Sequence, residues 1–195
     1  MKCLSRKSIE LGMEDLKSTA HFVLHPFQEE HFINHLHIHG TLARSATALH
    51  VLYELRGSLD SVRLPPPTAA PTRRDGLWQA TCFEFFVAPT GSLQYWEINL
   101  SPSGDWNVYA FSEYRQGMRE ETSITALPLI QHRQLNSYQL TLDFPLAHLI
   151  APDQSIGIAV SAVLLGNNGQ RSFFALTHCS SQPDFHQRKS FLMRL

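Results

Sequence analysis

Apolar and polar residues alternate with a period of two through almost the whole chain from about residue 20 onward, and clusters of Gly, Pro, Asn and Ser interrupt the pattern. Alternation of this kind predicts strands buried on one face. The runs fall at residues 21–27, 33–42, 48–56, 122–131, 137–144, 156–165, 171–178 and 190–195, with three more within 77–111. About ten or eleven short strands predict an all-β fold, a two-sheet antiparallel β-sandwich of jelly-roll type. Helical character is confined to residues 145–150, where Pro145 suits the first position of a short turn. Pro65, Pro66, Pro67 and Pro71 keep residues 61–75 out of any strand, and a loop of that length beside a polar sheet is placed to wall a pocket.

The block from Leu77 to Phe111 reads as three consecutive antiparallel strands with chemically different faces. Phe83, Phe85 and Val87 point one way, and Trp78, Cys82, Glu84 and Phe86 the other. A turn over residues 89–92 would set Phe85 against Trp96 and Phe83 against Ile98 on the apolar face. On the opposite face it would set Phe86 against Tyr95, Glu84 against Glu97 and Cys82 against Asn99. A second turn at residues 102–104, pairing Asn99 with Asn107, brings Tyr109 beside Glu97. Two directly opposed carboxylates repel by up to roughly 1 kcal/mol unless a cation, a proton or a ligand's donors lie between them. Carboxylates, an amide and aromatic rings on one sheet face suit a polyhydroxylated ligand, whose hydroxyls bond to the former and whose C–H faces stack on the latter.

Composition narrows the picture. The 195 residues are 43% hydrophobic, enough for one domain with a substantial core, taken as residues 20–195 behind a leader of residues 1–19 that need not be ordered. Met13 offers a second initiator within that leader. The formal net charge of −1 carries no basic footprint for nucleic acid or a membrane surface, which leaves a small neutral molecule as the expected partner. With no apolar run long enough for a signal peptide or a membrane span, a soluble, cytoplasmic protein is expected. Cys3, Cys82 and Cys179 are odd in number and lack metal-type spacing, as free thiols would be.

Other positions carry candidate chemistry. His35, His37 and His39 alternate along one strand face, but Leu36, Ile38 and Leu42 supply that strand's core face, so the histidines are read as its wet side. His50, Glu54 and Arg56 share a face of the next strand, and if that face joins the floor of 77–111, Arg56 would hold the carboxylates and offer forked donors to a ligand. Arg115 in EYRQG is a second residue for that role. His178, Asp184 and His186 lie in a loop able to close one end of a pocket, with His178 reaching ligand hydroxyls. No GxSxG, P-loop, GxGxxG or HExxH occurs, and no catalytic residue is assigned.

The segments RRDGLWQATCFEFFV, YWEINLSPSGDWNVYAF, YRQGM and PDFHQR together resemble the DOMON-like superfamily, whose bacterial branch is similar to family-nine carbohydrate-binding modules. The resemblance spans residues 20–195 and implies a β-sandwich of about eleven strands, usually without catalytic role, that binds sugars or haem on its concave sheet. It implies ligand positions at Trp78 and Glu84, at Glu97 and Asn99, and at Trp106 and Tyr109, although alternation turns Trp106 toward the core. Sugar-binding members clamp a sugar between two tryptophans and carry calcium in loops, and here a second clamping tryptophan is missing from the C-terminal half. Haem-binding relatives use Met and His ligands, for which Met118 and His178 are the available residues.

The leading expectation is therefore a non-catalytic domain that binds a saccharide through Trp78, Glu84, Phe86, Tyr95, Glu97, Asn99, Tyr109, Arg56, Arg115 and His178. The alternatives are a haem-binding module, a protein-interaction module, and a glycoside-active enzyme. The last would use Glu84 and Glu97, whose Cβ atoms would lie about 5 Å apart if directly opposed, against carboxyl separations of about 5–5.5 Å in retaining glycosidases.

Overall fold

The computed structural model describes residues 18–195. Most of the expected leader, with Cys3 and Met13, lies outside the described residues, whereas Ser18 and Thr19 already belong to the first strand. The strands among the described residues are β1 (Ser18–Pro26), β2 (His37–Arg44), β3 (Leu49–Arg56), β4 (Cys82–Pro89), β5 (Tyr95–Leu100), β6 (Trp106–Phe111), β7 (Arg119–Glu120), β8 (Ile130–Arg133), β9 (Ser137–Phe144), β10 (Ile156–Leu165), β11 (Arg171–Ala175) and β12 (Met193–Arg194). All pairings between them are antiparallel. The all-β sandwich expected from alternation is what forms. No helix among the described residues is long and apolar enough to cross a membrane.

One layer runs β1-β2-β3-β9-β8 and the other β11-β10-β4-β5-β6-β7, with β12 beside the start of β10. β1 joins them: residues 18–24 pair with β2, while His25 and Pro26 pair with Ala175 and Phe174 of β11. The inward faces make the core. Phe83 stacks on Tyr138, Phe85 meets Phe144 edge-on, and the Tyr53 hydroxyl crosses between the layers to donate to the Glu84 carbonyl at 2.5 Å. Fully burying each such ring contributes roughly 2–3 kcal/mol. Trp106 lies in this core, as its alternation requires.

Two of the expected strand runs form only in part. Residues 122–131 form no continuous strand, because Pro128 interrupts the backbone ladder; Ile124 and Leu127 are buried from a coil, and the strand begins only at Ile130. β11 stops at Ala175, leaving His178 beyond it. The short helical turn expected at 145–150 does form, as a 3₁₀ segment over Leu146–His148. The proline-rich loop 61–75 is pinned to the β6 edge by Arg73, which donates to Asn107 Oδ1 at 2.7 Å and to the Glu121 and Ile124 carbonyls, with its guanidinium 4.5 Å above the Trp106 ring. That anchorage positions the next turn, Leu77–Gln79, and Trp78 on it.

Candidate functional site

The site builds from two rows across the outward face of β10, β4, β5 and β6. One row reads Ser161, Glu84, Asn99 and Asn107, and the next Ala159, Phe86, Glu97 and Tyr109. Glu84 therefore faces Asn99 and Glu97 faces Phe86. The expected direct opposition of the two glutamates is corrected to a diagonal one, because β4 continues through Pro89, which pairs with Ile156 of β10, instead of turning there. The slip is two residues, and an even slip leaves every side chain on its predicted face. The second hairpin pairs Asn99 with Asn107 and Glu97 with Tyr109 as anticipated.

This floor is roofed rather than open. Phe86, Tyr95, Tyr109, Phe111 and Phe191 form a second apolar cluster, with Trp78 and Phe185 packed against it. What remains accessible is a cleft of about 290 Å³. Glu84, Phe86, Glu97, Phe111, Val163, Arg171 and Phe173 line it from the sheet, and Trp78, Arg115, Met118, Pro183, Phe185 and His186 from the surrounding loops. Trp78 does not extend β4 as expected but stands half-buried on its 3₁₀ turn, edge-on to Tyr109 with ring centroids 5.7 Å apart.

Two loops hold the roof down. Asp184 accepts from the Tyr114 hydroxyl at 2.6 Å, from Arg115 Nη2 at 2.8 Å and from Gln187 Nε2 at 2.8 Å, and these partners hold its carboxyl low, at about 2. Tyr95 receives the Arg115 backbone N–H at 3.1 Å and lies 2.8 Å from His186 Nδ1. Burial pushes the Tyr95 hydroxyl up to about 12 and His186 down to about 4, so the phenol keeps its proton and the imidazole stays neutral. With its oxygen already accepting the Arg115 N–H, the Tyr95 hydroxyl can donate a hydrogen bond to Nδ1, and in that tautomer Nε2 carries the imidazole hydrogen, 3.8 Å from Glu97 Oε2.

The two carboxyls are the electrostatic centre. Glu84 is buried; its Oε2 lies 3.4 Å from Ser161 Oγ, the Cys82 thiol is a second polar neighbour of the carboxyl, and its Oε1 has no hydrogen-bond partner among the described residues. Glu97 Oε1 accepts from Asn99 Nδ2 at 2.9 Å. Desolvation, reinforced by the charge of Glu97, drives the Glu84 carboxyl well above the usual range. Desolvation also raises Glu97 to about 7 against the opposing pull of Asn99 and Arg115. The site thus favours holding a proton on the pair over exposing two bare charges to each other.

Of the residues named from sequence, Trp78, Glu84, Phe86, Glu97 and Arg115 line the cleft. Tyr95, Asn99 and Tyr109 lie beneath and support it: Asn99 orients Glu97, and Tyr109 donates to Asp75 Oδ1 at 2.6 Å. Arg56 does not join the floor. It lies on the outer face of the other layer, where Arg56 Nε and His39 Nε2 meet Glu54 at 2.7 and 2.9 Å, because β3 packs its alternate residues into the core from the far side. His178 is also outside the cleft, with its Nε2 2.9 Å from the His25 carbonyl and its ring against Phe27. Met118 lines the cleft without it, so the two do not form an axial pair for haem. Among the described residues there is no group of three or more His, Cys, Asp or Glu side chains that could hold a metal ion.

Sequence reading missed Phe111, Val163, Arg171, Phe173, Pro183 and Phe185. The β10–β11 turn carried a usable signal, since Asn167, Asn168 and Gly169 bring Leu165 opposite Arg171 and hence Val163 opposite Phe173.

No family model matches the chain, and neither does any curated protein. Solved structures do. A protein from Bacteroides uniformis, assigned as carbohydrate-binding, superposes with a TM-score of 0.65 at 14% identity over 88% of this chain and 83% of that one. A family 9 carbohydrate-binding module from Caldicellulosiruptor kristjanssonii in complex with cellotriose superposes with a TM-score of 0.50 at 12% identity, over 84% of this chain and 75% of that one. At such identities the likeness is one of fold, and the chain has the sandwich architecture of these proteins.

Proposed function

We propose that this chain is a binding domain whose cleft takes a saccharide. The observation that carries the reading is Glu84 Oε1, a buried acidic oxygen without a partner among the described residues, at the base of a cleft walled by Trp78, Phe86 and Phe173. Sugar hydroxyls would supply the missing donors, and the apolar faces of the sugar would lie against the rings. The likeness in fold to a sugar-binding module and the resemblance of the 77–111 segment to DOMON-like domains support the same assignment.

A thermal-shift screen against mono-, di- and oligosaccharides tests it. A ligand at about 100 times its dissociation constant adds roughly 2.7 kcal/mol of stability, and Trp78→Ala should remove the shift in a protein that still folds, at a lower unliganded melting temperature because the ring packs on Tyr109. No shift with any saccharide refutes the proposal. The unequal perturbation of the two carboxyls also matches what a glycoside-cleaving acid and base would require. Hydrolysis of chromogenic glycosides that disappears in Glu97→Gln would favour that second reading.

A further inference from the structure

We propose that the saccharide bound in this cleft carries a protonated amine, seated between Glu84 and Glu97. The inference rests on the saccharide reading and narrows it to cationic, amine-bearing sugars.

Two acidic side chains sit on one face in adjacent rows, both buried, and the described residues bring no free cation to them. Arg115 is committed to Asp184 at 2.8 Å. Arg171 is exposed and stands over the Phe173 ring, 5.7 Å from its centroid. Around Glu84 the polar neighbours are Ser161, Cys82 and Glu97; around Glu97 they are Asn99, His186 and Arg115. Burial keeps His186 neutral, so it adds no compensating positive charge, and keeps the Cys82 thiol protonated, so it adds no further negative one.

A neutral sugar would offer one donor per hydroxyl and no charge, so the pair would keep its proton. An ammonium group brings three donors and a charge. One donor reaches the unpartnered Glu84 Oε1, another the side of Glu97 that has only the 3.8 Å approach of His186, and the charge removes the reason for the pair to hold a proton. The described residues contain no group of three or more His, Cys, Asp or Glu side chains arranged to hold a metal ion.

The test is isothermal titration of the full chain at pH 6.5, in two buffers that differ in ionisation heat. Glucosamine, galactosamine, mannosamine and deacetylated chitotriose are compared with their N-acetylated forms and with glucose. The expected result is that at least one amine binds about tenfold tighter than its acetylated form, equivalent to ~1.4 kcal/mol, and that binding releases protons. Glu97→Gln should then reduce the preference to less than about threefold without lowering the melting temperature. If neutral sugars bind as well as amines, or the preference persists in both Glu84→Gln and Glu97→Gln, the amine inference fails and the saccharide reading stands. If no sugar binds in any form, both fail.

Discussion

Replacing Glu97 with Gln should make the unliganded protein more stable, in a pH-dependent way. Glu97 has its carboxyl raised from 4.5 to about 7, mainly by burial. A displacement of that size corresponds to ~3 kcal/mol of preference for the protonated form. Between pH 4.5 and 7 the folded chain holds a proton that the unfolded chain has released, so stability falls as pH rises through this window, and the full cost persists above 7. The amide introduced by Glu97→Gln would not titrate, and its carbonyl could still accept from Asn99 Nδ2. Equilibrium urea unfolding should therefore give equal stabilities near pH 4, and a variant ahead of wild type by ~3 kcal/mol at pH 8. In melting temperature that is roughly 6–12 °C for a chain of this size. Relief of Glu84 from its charged neighbour adds in the same direction. Parallel stability curves for the two proteins would show that Glu97 is not strained by its surroundings, and the electrostatic account of the cleft would collapse. The same variant should bind the ligand more weakly, as expected when a buried charge is kept for recognition at a cost in stability.

Other substitutions probe the frame around the cleft. Gly40→Ala would drive a Cβ into the Leu52 carbonyl oxygen and set it 2.5 Å from Phe22 Cζ, and should cost about 3 kcal/mol or prevent folding; near-wild-type denaturant unfolding would contradict the close approach of β2 and β3. Asp184→Ala deprives Tyr114, Arg115 and Gln187 of their acceptor and should cost about 1–3 kcal/mol, with faster deuterium uptake in the two loops it ties together, residues 113–117 and 184–187. Uptake unchanged from wild type would mean that the roof is held by the aromatic cluster alone. Arg56→Ala, on the far layer, should leave saccharide affinity within about twofold of wild type; a larger loss, measured by titration, would connect the two faces.

Faces were legible in the sequence because alternation fixes them without any knowledge of pairing. Glu84, Phe86, Glu97 and Tyr109 share an outward face and Trp106 turns inward, even though the β4–β5 register differs by two residues. Register itself was less legible. Pro89 signals a turn, but at the end of a strand its missing N–H costs little, so β4 runs through it. Layer membership was illegible from period alone, since β3 alternates in the same manner as β4, and only the choice of partner strand sends Arg56 to the opposite side of the molecule. The roof was read only in outline. Asp184 and His186 were visible as a polar loop, but their contacts with Arg115, Tyr114 and Tyr95 depend on tertiary placement that no local spacing encodes.

The strand that joins the two layers sets the order in which the cleft can form. β4, β5 and β6 are linked by short turns and can pair soon after they are synthesised, whereas Glu84 meets Ser161 across 77 residues and Tyr95 meets His186 across 91. β1 pairs early with β2 but must leave His25 and Pro26 unpaired until β11 arrives. Long-range pairings of this kind put folding on the millisecond-to-second scale. A nascent chain halted before Phe185 would carry both glutamates without Phe185, His186 and Phe191 above them, and the proposed ligand would find its complete site only once the last segment had docked.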